Sequence, residues 1–283
     1  MSPIPGSASH PAAPVERGCL RLPWGRVHYR TVVPQEAADL PLLLVLHQTP
    51  LHSGHYEAAL PHLARFSRPV AFDTPGYGWS EPVPDGWEME DYADLVWQIA
   101  DHLGTVGAPA VLLGRATGSV IALAAAHRAP QRTKGLVLHG LPVYSDDVRR
   151  ERLASDFAAP IVPRRDGGHL TDLWERILGQ YPYLTPEEVQ WHMEAYMACG
   201  RDYATAYRAM WRYDPHPALQ SLSMPVHLLG GDRDRVFGWF DAGSAAVPGA
   251  TSYVFPGGTD FVAADDPAGF ADQVESLVAR VVF

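Results

Sequence analysis

Ala108-Pro109-Ala110-Val111-Leu112-Leu113-Gly114-Arg115-Ala116-Thr117-Gly118-Ser119-Val120-Ile121-Ala122 is the stretch that decides how this chain folds. Residues 110–113 form a short apolar run of the kind buried on both faces of a parallel sheet. Gly114 and Gly118 bracket a sharp turn, and residues 119–127 read as an Ala-rich helix. A strand, a glycine turn and a helix in that order begin a β-to-α connection. The centre of the turn is Ala116, whose methyl group can neither attack nor carry a proton.

The same alternation extends outward on both sides. Strand-like runs occupy residues 18–22 and 26–33, with Trp24-Gly25 at the turn between them. A continuous apolar run follows at 42–47, then a predicted helix over 55–63 and a strand over 69–73. Residues 91–103 have helical spacing through Leu95, Ile99 and Leu103. Residues 135–139 are the next buried strand. From 142 to 223 the pattern is helical without a convincing strand. Strands resume at 226–230 and 251–255, with a helix near Ala242 and a terminal helix over 267–281. The sequence therefore predicts a mostly parallel sheet covered by helices on both faces. It is built from residues 17–141 and 224–283 and split by a helical insertion over 142–223. Residues 1–16, rich in Pro, Ser and Ala, read as a flexible tail.

Bulk properties narrow the function. The chain has 283 residues, 47% of them hydrophobic, which is enough for a full core. The net charge of -10 and the lack of a long Lys/Arg run argue against a nucleic-acid partner. The pairs Arg149-Arg150 and Arg164-Arg165 read as solvated positions. Two cysteines far apart, Cys19 and Cys199, give no disulfide framework. The start has no basic segment followed by an apolar one, and no apolar run approaches the ~20 residues of a membrane span. The expectation is a cytoplasmic protein with a small-molecule partner and no membrane or nucleic-acid partner, with a homodimer left open.

Four motifs together resemble the α/β-hydrolase superfamily. His47-Gln48-Thr49-Pro50 after a buried strand resembles its H-G-x-P loop. Asp73-Thr74-Pro75-Gly76-Tyr77-Gly78-Trp79-Ser80 is similar to its D-x-x-G-x-G-x-S turn. The stretch around Ala116 resembles its G-x-S-x-G nucleophile elbow. Gly231-Asp232-Arg233-Asp234 looks like the loop bearing the triad acid. The resemblance implies an α/β-hydrolase fold, with the insertion as a helical cap. It also exposes two departures. Ala116 stands where the serine would be. Asp265-Asp266-Pro267-Ala268-Gly269-Phe270 matches the last helix start, and this register puts Asp260 at the triad histidine. Of the triad, Asp234 alone remains, so the Ser–His relay cannot operate.

What the resemblance leaves is an oxyanion hole from the backbone N–H groups of Thr49 and Thr117. It also places Asp234 and Asp260 near each other. As a pair they would share a proton and act as acid and base. The competing reading is that Asp260 pairs with Arg115 or Arg233. His47 is expected to brace the oxyanion loop, and Arg115 to be a substrate contact or a structural partner. Gln48 either points its amide into the pocket or packs. His192 is the favoured replacement base, ahead of His139 and His169. Tyr203, Tyr207 and Trp211 share one helix face at i, i+4, i+8, and Tyr207 and Trp211 are expected to line the pocket. His47, His52 and His55 straddle a loop without a carboxylate motif, so no metal is expected, and no cofactor. The favoured function is a non-hydrolytic lyase, cyclase or isomerase of secondary metabolism on a small apolar or aromatic molecule. The alternatives are a hydrolase, either water-activating or inactivated at Ala116, and a non-catalytic binding protein.

Overall fold

A computed structural model describes residues 13–34, 39–83, 86–104, 106–200 and 203–281. The eight strands are β1 Glu16–Leu22, β2 Gly25–Thr31, β3 Leu42–Leu46, β4 Arg68–Phe72, β5 Ala110–Arg115, β6 Thr133–His139, β7 Val226–Gly231 and β8 Thr251–Phe255. They form one sheet in the order β1-β2-β4-β3-β5-β6-β7-β8. β1 and β2 pair antiparallel, as do β2 and β4, and the rest run parallel. β3 and β5 are buried at every residue, because helices cover both faces and leave no solvent side to alternate with.

The helices are α1 Leu60–Leu63, α2 Met89–Leu103, α3 Thr117–Arg128, α4 Asp146–Ala154, α5 Gly168–Gln180, α6 Pro186–Ala198, α7 Thr205–Arg212, α8 His216–Ser221, α9 Phe240–Ala246, α10 Val262–Asp265 and α11 Pro267–Val281. The core lies in two layers, one on each side of the sheet. Leu44, Leu46, Leu112 and Leu138 face α2 and α3, while Leu43, Val45, Val111 and Leu113 face α1 and α11. The alternation of these neighbours along β3 and β5 is the period of two expected of a strand with both faces packed. Between β6 and β7 the described chain is helical (α4 to α8), and α7 and α8 pack on α3.

Three expectations need correction. The helix predicted over 55–63 is two pieces, a 3-10 turn over Ser53–Tyr56 and the short α1. Pro61 has no N–H to give to Glu57, so it is tolerated only in a first turn, and α1 begins there. The tail predicted over 1–16 ends sooner. Ala13 and Val15 pack against the core and Glu16 opens β1, while residues 1–12 lie outside the described residues. Tyr203 precedes α7 and does not share its face with Tyr207 and Trp211.

The turn around Ala116 explains its two glycines. A Cβ at Gly114 would come 2.1 Å from the Gly118 carbonyl oxygen, and one at Gly118 would come 2.4 Å from that of Leu46. The first turn of α3 is therefore pressed onto the ends of β5 and β3 at a spacing that excludes side chains. This yields a test in which two effects oppose. Gly118 lies inside α3, so alanine would gain about 1 kcal/mol of helix propensity. The clash is with backbone and no rotamer relieves it, and overpacking costs about 1–3 kcal/mol or more. Gly118→Ala is expected to lower unfolding free energy in urea despite the propensity gain. A variant as stable as the parent would mean that the turn can open.

Candidate active site

Ala116 has φ 48° and ψ -111°, the single positive φ at a non-glycine residue among those described. Such a conformation costs about 1–3 kcal/mol and persists because its surroundings hold it. Here the Ala116 N–H donates to His139 O at 3.0 Å, and Ala116 O accepts from the Ser119 N–H at 2.9 Å and the Ser119 hydroxyl at 2.6 Å. Thr117 follows as the first residue of α3, where a backbone N–H has no partner within the helix. The dipole of α3 adds partial positive charge at the same point.

The loop after β3 approaches from the other side. His47 is buried. Its Nδ1 bonds to Gln48 O at 2.9 Å and its Nε2 accepts from the Thr74 N–H at 2.8 Å. The second bond fixes Nε2 as the unprotonated nitrogen, and burial lowers the ring's pKa, so His47 is a neutral brace. Thr49 O accepts a 2.5 Å bond from the Tyr207 hydroxyl, tying α7 onto this loop. Gln48 is 2% exposed, and neither atom of its amide has a partner among the described residues. An orphan polar group of this kind costs about 1–3 kcal/mol.

Gln48, Thr49, Ala116 and Thr117 form the floor of a cavity of about 90 Å³. Tyr144, Phe157, Met210, Trp211, Tyr207 and Trp239 form its apolar wall. Tyr207 and Trp211 lie stacked with centroids 5.4 Å apart, and Phe157 meets both edge-on. Arg152 and Arg235 are the charged residues at its edge. A groove of about 630 Å³ elsewhere, lined by Glu88, Arg128, Arg212 and Asp214, is larger but does not reach Ala116.

The two aspartates do not line this cavity. They flank Arg115, which is completely buried and holds Asp234 Oδ2 and Asp260 Oδ1 through one nitrogen, Nη2, at 3.0 Å each. Asp260 accepts four further contacts. Arg235 Nε reaches Oδ1 at 3.1 Å, its backbone N–H reaches Oδ2 at 3.3 Å, and the Tyr183 hydroxyl donates to Oδ2 at 2.9 Å. Arg115 Nε also donates to Asp260 O at 3.2 Å. Burial pushes the Asp260 carboxyl up, but Arg115, Arg235 and Tyr183 outweigh it and hold it below the ordinary carboxylate value. Burial dominates for Asp234. Together with the Asp260 charge it raises that carboxyl, against the pull of Arg115.

These contacts correct the expected roles. Proximity of the two carboxylates holds, with the Arg115 cation bridging them, and neither is among the residues that line the cavity. Arg115 is their structural partner and not a substrate contact. His192 is not at the cavity either: its Nδ1 bonds to Glu188 O at 2.7 Å and its ring packs on Tyr181, Trp191 and Phe261. His139 is buried with both ring nitrogens unpartnered, and burial together with Arg115 keeps it neutral. Among the described residues, no three His, Cys, Asp or Glu side chains gather as a metal site. Arg152, Arg235, Tyr144 and Phe157 were not foreseen. Arg235 sits beside the expected acid, and Arg152 lies next to a basic pair read as solvated.

The unequal ligation of the aspartates predicts unequal mutants. Asp260→Asn leaves Arg115 and Arg235 facing a neutral amide and is expected to cost about 3–5 kcal/mol at neutral pH. The folded pKa of Asp260 lies below the unfolded value of about 3.9, so its stabilisation is complete above that value and fades as pH falls through the folded pKa. Asp234 runs the other way. Its raised folded pKa means that stability is lost as pH rises through it, so Asp234→Asn costs less. Urea melts at neutral and acid pH read both effects. The reverse order of the two variants would show that Arg235 and Tyr183 do not anchor the cluster.

Comparison with known proteins agrees with the fold. A profile of the alpha/beta hydrolase family matches residues 43–273. The chain is 28% identical over 263 residues to a magnesium-chelatase 30 kDa subunit of Rhodobacter capsulatus, covering 84% of this chain and 88% of that one. It is 24% identical over 247 residues to a 2-(acetamidomethylene)succinate hydrolase of Mesorhizobium japonicum, covering 83% of each. The crystal structure of a hydrolase from Pseudomonas aeruginosa superposes with a TM-score of 0.77 at 22% identity, over 93% of this chain and 98% of that one. With the strand order, the strained turn and the family profile in agreement, this chain belongs to the alpha/beta hydrolase family.

Proposed function

We propose that this protein is a cofactor-independent, non-hydrolytic cytoplasmic enzyme. Its substrate would be a small, flat carbonyl compound, polarised by donors at the elbow. The observation that carries the reading is Ala116 itself. The turn keeps the strained backbone that displays a nucleophile, at the floor of a cavity, without a nucleophile to display. Thr117 and Thr49, whose N–H groups are the proposed donors, line the floor with the unpartnered Gln48 amide, which supports the reading. Among the described residues, no histidine, cysteine or carboxylate lines the cavity. Its tyrosines are poor proton donors and acceptors near neutrality, because burial raises both Tyr144 and Tyr207.

Such a site suits reactions in which negative charge builds on a carbonyl oxygen while the proton moves within the substrate or to water. Ring closure, ring opening and carbon–carbon cleavage are of this kind. A preorganised donor in a water-poor site is worth about 10²–10³ in rate. Residues 142–223 act as the cap, with Tyr207 and Trp211 as its contribution to the wall. A volume near 90 Å³ sits well below the roughly 300 Å³ of sites for drug-sized ligands, so one ring is the size that fits without lifting the cap.

A second reading, direct attack by water, draws on the hydrolases among the relatives. Turnover in oxygen-18 water separates the two. Product free of solvent oxygen is expected, and incorporation would move the protein to hydrolysis. Gln48→Ala is expected to lower kcat about 10²-fold or more. Ala116→Ser is expected to leave ester hydrolysis at background, because no base stands beside the new hydroxyl. Esterase activity in that variant would overturn the reading, and tight binding without turnover would leave a binding protein.

A further inference from the structure

The charges around the cavity do not balance, and the excess has a location. Arg115 and Arg235 face Asp234 and Asp260, two cations against two anions. Arg152, on α4, has no carboxylate within ion-pair distance among the described residues, and no carboxylate lines the cavity. Its guanidinium sits 5.1 Å over the ring of Phe157, itself part of the wall. A cation–π contact of this kind holds the guanidinium by its ring-facing side and uses none of its N–H donors. The field is felt across the cavity: Arg152 and Arg235 both act to favour ionisation of the Tyr144 hydroxyl, against the larger effect of burial. At the floor the Gln48 amide, 2% exposed, has neither partner it needs.

We propose that Arg152 is the anion-recognition residue of this cavity and that the ligand is a small planar carboxylate, its acid group on the Arg152 fork and its flat body against Tyr207, Trp211 and Phe157. The assignment rests on the reading of this cavity as the ligand site, but not on its chemistry. A carboxylate is favoured over a phosphate because one uncompensated guanidinium matches a single negative charge, whereas a phosphate monoester carries about 1.5–2. Flat aromatic walls and a volume near 90 Å³ point the same way. A planar two-oxygen group also matches the guanidinium fork bidentately, which a lysine in its place would not do.

The test is calorimetric and needs no turnover. Benzoate and its uncharged counterpart benzamide are titrated into the full chain, into Arg152→Gln and into Arg152→Lys, with melting temperatures recorded for each. Benzoate is expected to bind the parent at least tenfold more tightly than benzamide. Arg152→Gln is expected to remove that ratio at unchanged melting temperature, and Arg152→Lys to keep only part of it. Equal binding of the two probes to the parent overturns the proposal, as does a preference that survives Arg152→Gln. Inorganic phosphate binding more tightly than benzoate overturns the choice of carboxylate. Arg152-dependent binding of benzoate in a protein that turns over nothing would uphold this inference while removing the catalytic reading above.

Discussion

The Arg115 guanidinium is the constraint on which the rest of the site depends. It leaves β5 immediately before the elbow and is wholly buried, so it cannot reach water to satisfy its charge. Its partners are Asp234 after β7 and Asp260 after β8, with a longer contact to Gly140 O after β6. One side chain thus gathers the loops at the ends of four parallel strands. Replacing such a cluster by apolar groups of the same shape can be neutral or stabilising, but removing one partner strands a buried charge. The contribution of Arg115 is therefore geometric as much as energetic. It sets where Arg235 emerges, since Asp260 holds that residue by both its backbone and its side chain.

The consequence for chemistry is a division of labour. Asp234 and Asp260, expected to move protons, are engaged with Arg115, while the cavity is lined by an amide, aromatic walls and guanidinium groups. The two guanidinium groups are the charged side chains among the described residues that line the space, and both favour negative charge. The strain at Ala116 fits this division. Its cost is borne to hold a backbone, because the methyl group has no chemical part to play.

Much of the fold was legible because the apolar runs are long, continuous and spaced for a parallel sheet. β8 and α11 have the bounds their patterns predict, and β3 through β7 differ at their ends by a few residues or fewer. The start of the last helix at Pro267 was legible too. The break between Ser53–Tyr56 and α1 was missed, although Pro61 is a local signal for it. The cavity wall was partly readable: Tyr207 and Trp211 lie where the i, i+4 spacing put them, but Tyr203 lies outside that helix.

The sequence by itself determined the architecture and the place of the strained turn at Ala116, because both are written in local order: period and glycine spacing. Only the tertiary structure decided what the surviving charges do. Whether Asp260 is a base or an anchor depends on which cations approach it, and these come from positions 115 and 235, far from it along the chain. The same holds for Arg152, which is indistinguishable in sequence from Arg149, largely buried and paired with Asp146 and Asp214, and from the exposed Arg150. Arg152 becomes the unbalanced charge of the cavity because Phe157 folds beneath it and, among the described residues, no carboxylate does. Electrostatic roles are set by distance and burial, and chain order fixes neither.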